Sequence, residues 1–171
     1  LLPDRQQPLG NALAYDAKRR CYWIGTACAL YCADLQLKNF TRISQLNGNS
    51  VKCLAEESNG NLYIGTDNGL YRLSLDNSIL HFEHDSRDAS SIPNNIVWSC
   101  FVDKWQNVWI GTDNGLSRLS THTYFQYTSL DKITLSGEGN CLHEICQTRD
   151  GEWWLGGHTV LIRFGMNGSQ N

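Results

Sequence analysis

Apolar residues in this chain fall in short runs, broken at regular intervals by clusters of Asn, Asp, Ser and Gly. Residues 95–103 (NIVWSCFVD) are apolar and β-branched and end on an acidic turn residue. Residues 104–107 make a turn and 108–112 form the next strand. Asp113-Asn114-Gly115 is a hairpin signal, because Asn and Gly tolerate the positive φ that a tight turn requires. Strands at 116–120 and 124–127 follow, and the preceding stretch repeats the plan at 49–56, 62–66, 70–74 and 79–84. Leu62-Tyr63-Ile64 and Val108-Trp109-Ile110 are apolar on both faces, as a sheet sandwiched between two neighbours requires. No useful 3.6-residue apolar period occurs, so the pattern predicts an all-β chain.

The pattern is also written several times over. Residues 61–73 read NLYIGTDNGLYRL, 107–119 read NVWIGTDNGLSRL and 152–164 read EWWLGGHTVLIRF, with a divergent copy, CYWIGTACALY, at 21–31. The shared glycines are Gly25, Gly65, Gly111 and Gly156, at intervals of 40, 46 and 45 residues. A period of roughly 40–50 residues marks a propeller or another repeat array. Four short antiparallel strands per repeat make one β-propeller blade. The recurring in-strand glycine marks a place where another backbone comes too close for a side chain. The organisation expected is a segment 1–10, a divergent blade 11–48, blades 49–94 and 95–139, an incomplete blade 140–165 and a tail 166–171. About four blades with incomplete ends leave apolar faces and edges open, so we expect an arc of a larger, seven-bladed propeller or one completed by another copy.

Composition narrows the chemistry. A net charge of −3 gives no electrostatic case for nucleic acid or an anionic membrane. The basic run Lys18-Arg19-Arg20 reads as a solvated hairpin tip. The seven cysteines are odd in number, lack zinc-ligand spacing, and place Cys53, Cys100 and Cys146 within predicted strands as small hydrophobes. No run approaches a membrane span, and residues 1–10 lack the features of a signal peptide. His143-Glu144-Ile145 fails the zinc motif because Gln147 replaces the second histidine, and Gly137-Glu138-Gly139 lacks the rest of a dinucleotide fingerprint. No cofactor, metal site or catalytic residue is expected.

The pattern N-x-[YW]-I-G-T-[DN]-x-G-L-x-R-[LF] resembles the two-component regulator propeller repeat, which 61–73 and 107–119 match almost position for position. The resemblance covers roughly residues 11–165. It implies the periplasmic sensor region of a hybrid two-component system from a polysaccharide-degrading bacterium. An intact sensor would carry a pair of seven-bladed propellers, a small β-sandwich, a membrane helix, a kinase and a DNA-binding regulator. Two departures stand out: Ala27-Cys28-Ala29 in place of the first turn, and Gly157-His158-Thr159-Val160 in place of the last.

The repeat also shows which residues vary at a fixed position. Three places beyond the asparagines at 11, 49, 95 and 140 stand Ala14, Lys52, Trp98 and His143, on strands expected to line the central channel. Lys52, Trp98 and His143 are therefore candidate ligand contacts, together with Trp105 in a turn and Glu144 beside His143. Trp23, Tyr63, Trp109 and Trp154 share one repeat position and read as packing between blades. The leading function is an extracytoplasmic sensor that binds an oligosaccharide or other small ligand and regulates a histidine kinase. Its expected partners are that ligand and further blades or a second copy, with membrane contact only through a downstream helix. The alternatives are a glycan lyase or hydrolase using Glu144, which lacks an evident second carboxylate, and a protein-binding scaffold.

Overall fold

A computed structural model describes residues 10–120, 124–128, 141–158 and 160–164. Its strands form four antiparallel sheets, each in simple chain order. Blade 1 holds β1 (Gly10–Asp16), β2 (Cys21–Thr26), β3 (Leu30–Asp34) and β4 (Phe40–Arg42). Blade 2 holds β5 (Val51–Glu56), β6 (Leu62–Thr66), β7 (Leu70–Leu73) and β8 (Ile79–Phe82). Blade 3 holds β9 (Val97–Val102), β10 (Val108–Thr112), β11 (Gly115–Ser120) and β12 (Tyr124–Thr128). Blade 4 holds β13 (Leu142–Gln147), β14 (Trp153–Gly157) and β15 (Leu161–Phe164). The first strand of each blade is innermost, and β1, β5, β9 and β13 stand side by side. This is β-propeller architecture.

The shared threonine builds the hairpins. Thr66 Oγ1 donates to Gly69 O at 2.8 Å and accepts the Asn68 N–H at 3.0 Å, and Thr112 repeats both bonds with Gly115 and Asn114. Gly69 and Gly115 take positive φ, whereas the asparagines before them do not. The divergent first turn is not distorted: Thr26 N and Oγ1 both donate to Ala29 O at 2.9 Å. In blade 4 a backbone bond from Gly157 N to Val160 O at 2.8 Å closes the turn instead.

The strand glycines set the spacing between blades. A Cβ on Gly25 would lie 2.4 Å from Val51 Cγ1, and one on Gly111 would lie 2.8 Å from Leu142 Cβ and 2.9 Å from Leu142 O. Gly65 receives Val97 in the same way, with Val97 O at 3.1 Å. Each glycine is thus a socket for the first residue of the next inner strand. Apolar clusters fill the three junctions around these sockets. Trp23 and Tyr63 are buried there as expected, while Trp109 and Trp154 are half-buried. Cys53 and Cys100 pack against the junction of blades 2 and 3, but Cys146 is exposed because it falls on the outward side of β13.

The reading of Arg19 as part of a solvated tip is also overturned. Arg19 is no solvated tip; its side chain is 13 % exposed and ion-paired to the buried Asp16 at 2.6 Å. It also donates to Gly60 O at 2.8 Å and Ser74 O at 2.7 Å, tying blade 1 to blade 2. Its guanidinium lies 5.8 Å from the Trp23 ring centre. In blades 3 and 4 that place belongs to an arginine of the third strand, Arg118 over Trp109 and Arg163 over Trp154. Blade 1 has Cys32 opposite Trp23, so the turn supplies the cation that the strand lacks.

Candidate functional site

The site is made by an irregularity that every blade repeats. Val51 pairs with Thr66 and Cys53 with Gly65, leaving Lys52 without a partner in the ladder. Val97 and Ser99 pair around Trp98 in the same way, as do Leu142 and Glu144 around His143. An unpaired extra residue is a β-bulge, which bends its strand and re-aims its side chain. Blade 1 corrects the sequence alignment: its bulged residue is Asn11, between Gly10 and Ala12, whereas Ala14 pairs regularly with Trp23. Counting from an asparagine misplaced the column there because Asn11 is itself the bulge. Asn11 Nδ2 donates to Val51 O at 3.1 Å, so this side chain is occupied by blade 2.

The bulges bring together three residues from three blades. Lys52 Nζ stands 4.0 Å from the centre of the Trp98 ring. His143 stacks on Trp98 with centroids 4.8 Å apart and planes 8° from parallel. Because β5 and β13 flank β9, the cation and the imidazole reach the indole from opposite sides. Trp98 Nε1 donates to Asp113 Oδ1 at 2.6 Å. The Cys141 thiol donates to the same oxygen at 3.0 Å and lies 3.2 Å from His143 Nε2. His158, in the divergent last turn, tilts against His143 with centroids 6.0 Å apart. Burial pushes the Cys141 thiol up to about 12, helped by the Asp113 bond and charge, so it stays protonated.

Two candidates stand apart. Trp105 lies in the β9–β10 turn, at the opposite end of blade 3 from the bulge, 50 % exposed and beneath Lys104 Nζ at 4.4 Å. Glu144 pairs with Gly156, is exposed, and makes no hydrogen bond or ion pair among the described residues. Asp113 and Cys141 gave no sequence signal. The first belongs to the shared turn, and the second precedes its strand by one residue. His158 did carry one, as part of the departing turn 157–160. A pocket of about 240 Å³ between blades 2 and 3 is lined by His84, Asp85, Asp88 and Asn114. Its carboxylates bind their own turns, Asp85 to Arg87 and Asp88 to Ser90. No described group of three or more His, Cys, Asp or Glu side chains is arranged to hold a metal ion.

Sheet order, socket glycines and bulged inner strands define a β-propeller. Residues 45–68 and 91–114 match the two-component regulator propeller, and those two segments are repeats of that family. It is similar to the extracellular domain of BT4673 of B. thetaiotaomicron, described as a hybrid two-component system, at 36 % identity and a TM-score of 0.64. The match covers 96 % of this chain and 22 % of that one. The extracellular domain of BT3049 from the same organism aligns at 24 % identity with a TM-score of 0.73, over 96 % of this chain and 22 % of its own. Virginiamycin B lyase from Staphylococcus aureus, at 16 % identity and a TM-score of 0.75, shares the fold over 98 % of this chain and 56 % of that one. The chain thus spans about a fifth of the two extracellular domains. None of the curated proteins compared with it matches. No helix among the described residues is long and apolar enough to cross a membrane.

Proposed function

We propose that the chain is part of the periplasmic sensor of a hybrid two-component protein, where it helps bind an oligosaccharide and thereby regulates a downstream histidine kinase. The gathering of Lys52, Trp98 and His143 at one end of the inner strands carries this reading. Bulges are over-represented beside binding sites, and this one places a different polar or aromatic residue in each blade. Similarity to the extracellular domain of a hybrid two-component system supports the sensor role. A ligand at the row would act on a kinase only through unequal affinity for two arrangements of the receptor. On this reading the chain supplies binding and no catalysis; Glu144 has no hydrogen bond or ion pair to a second carboxylate among the described residues.

Calorimetric titration of the chain, and of the complete extracellular domain that contains it, with an oligosaccharide panel tests the proposal. Saturable binding that His143→Gln removes and Trp105→Ala leaves intact is the expected result. Absence of binding to either protein would favour a scaffold. Glycan cleavage lost in Glu144→Gln would establish an enzyme.

A further inference from the structure

We infer that the Lys52–Trp98–His143 row receives an anionic group, a carboxylate or a sulfate, so that its saccharide is an acidic one; this rests on the row being the ligand site. A neutral sugar ring binds best on an open aromatic face. Trp98 offers none, because Lys52 lies over one side of the indole, His143 covers the other, and its N–H is held by Asp113. What the row leaves for a ligand is nitrogen. Lys52 Nζ has three donors and no hydrogen bond or ion pair among the described residues. His143 keeps Nδ1 beyond its contact with Cys141, and the exposed His158 ring lies beside it.

The carboxylates nearby do not cancel this bias. Asp113 Oδ1 already accepts from both Trp98 and Cys141. Glu144 lies beside Gly156 and makes no hydrogen bond or ion pair to Lys52 or His143. The thiol adds direction. Its one proton goes to Asp113, so toward His143 the sulfur accepts, and Nε2 must carry the imidazole proton. The vacant lone pair is then on Nδ1. An anion at this end of the row accepts from the Lys52 ammonium. Lys52, Asp113, Cys141 and His158 are the titratable groups facing that imidazole.

The test uses inorganic sulfate, trigalacturonate and the methyl ester of trigalacturonate as the neutral match, followed by calorimetry and by the histidine ring signals in NMR. We expect both acidic probes to shift His143, with the ester weaker by about tenfold, the scale of one charge-assisted hydrogen bond. Lys52→Gln should remove the preference for acid over ester, and Lys52→Arg should restore it. Equal binding of acid and ester at His143 overturns the anionic preference and leaves the oligosaccharide reading standing. Binding of sulfate but of neither saccharide upholds the anion site and overturns that reading. An acid preference that survives Lys52→Gln, in a variant that unfolds like the parent, overturns the inference.

Discussion

Trp98 and His143 lie ring on ring, 4.8 Å between centroids, although one belongs to blade 3 and the other to blade 4. The stack therefore joins two sheets that share no backbone ladder. Trp98→Ala removes the stack, the seat of the Lys52 ammonium and the Asp113 bond, at a cost of about 2–3 kcal/mol in urea unfolding. Trp98→Phe keeps both ring contacts and should cost about 1 kcal/mol. In NMR the His143 ring signals should lose their indole shielding in Trp98→Ala and keep part of it in Trp98→Phe.

The socket glycines should differ by place. Alanine at Gly65 or Gly111 drives a methyl into Val97 or Leu142, where backbone as well as side chain must yield. Overpacking of this kind costs about 1–3 kcal/mol. A Cβ on Gly156 meets nothing nearer than Glu144 Cβ at 3.5 Å, an ordinary contact. Gly156→Ala in this chain should shift the urea midpoint little, and a loss matching that of Gly111→Ala would contradict the socket account.

Arg19→Ala removes the guanidinium that pairs with the buried Asp16 carboxylate and donates to Gly60 O and Ser74 O of blade 2, leaving Asp16 the Arg19 backbone N–H and the Trp23 indole. The expected loss is about 2–4 kcal/mol at neutral pH. Burial pushes the Asp16 carboxyl up, but bonds from the Arg19 backbone, the Trp23 indole and the Arg19 guanidinium outweigh it and hold it below the usual range. A depressed carboxylate stabilises the fold above its unfolded value near 4 and loses that contribution as pH falls through the folded value. The gap between parent and Arg19→Ala should therefore narrow as unfolding is measured from pH about 5 down to about 2.

The Cys141 thiol, at about 12, should resist alkylation at pH about 8, while the exposed Cys146 reacts readily. Asp113→Asn removes the charge that helps hold the proton on sulfur. Peptide mapping after iodoacetamide should show Cys141 modified several-fold faster in that variant.

Much of the frame was legible because a repeat reports its own structure. The strands at 62–66 and 108–112 lie where the apolar runs and the Asn-Gly turns place them. Lys52, Trp98 and His143 stood out because the same position carries a different residue in each copy. The bulge that makes the position special was hidden, since an unpaired residue leaves no mark in composition. That is why Ala14 was aligned in place of Asn11. Arg19 was misread because its partners, Gly60 and Ser74, lie in the next blade. Asp113 and Cys141 were missed for a related reason. Each looks ordinary within its own repeat, and their meeting depends on how two repeats lie together.

The recurring bulge also bears on how such a protein changes over time. Val51 and Cys53 hold the ladder, and Lys52 between them holds none of it. Substitution at 52, 98 or 143 leaves the pairing of the strands intact, so a change there alters side-chain contacts without breaking a ladder bond. The bulged residue and the paired residues share one strand but not one task. A lineage can revise the first while inheriting the second.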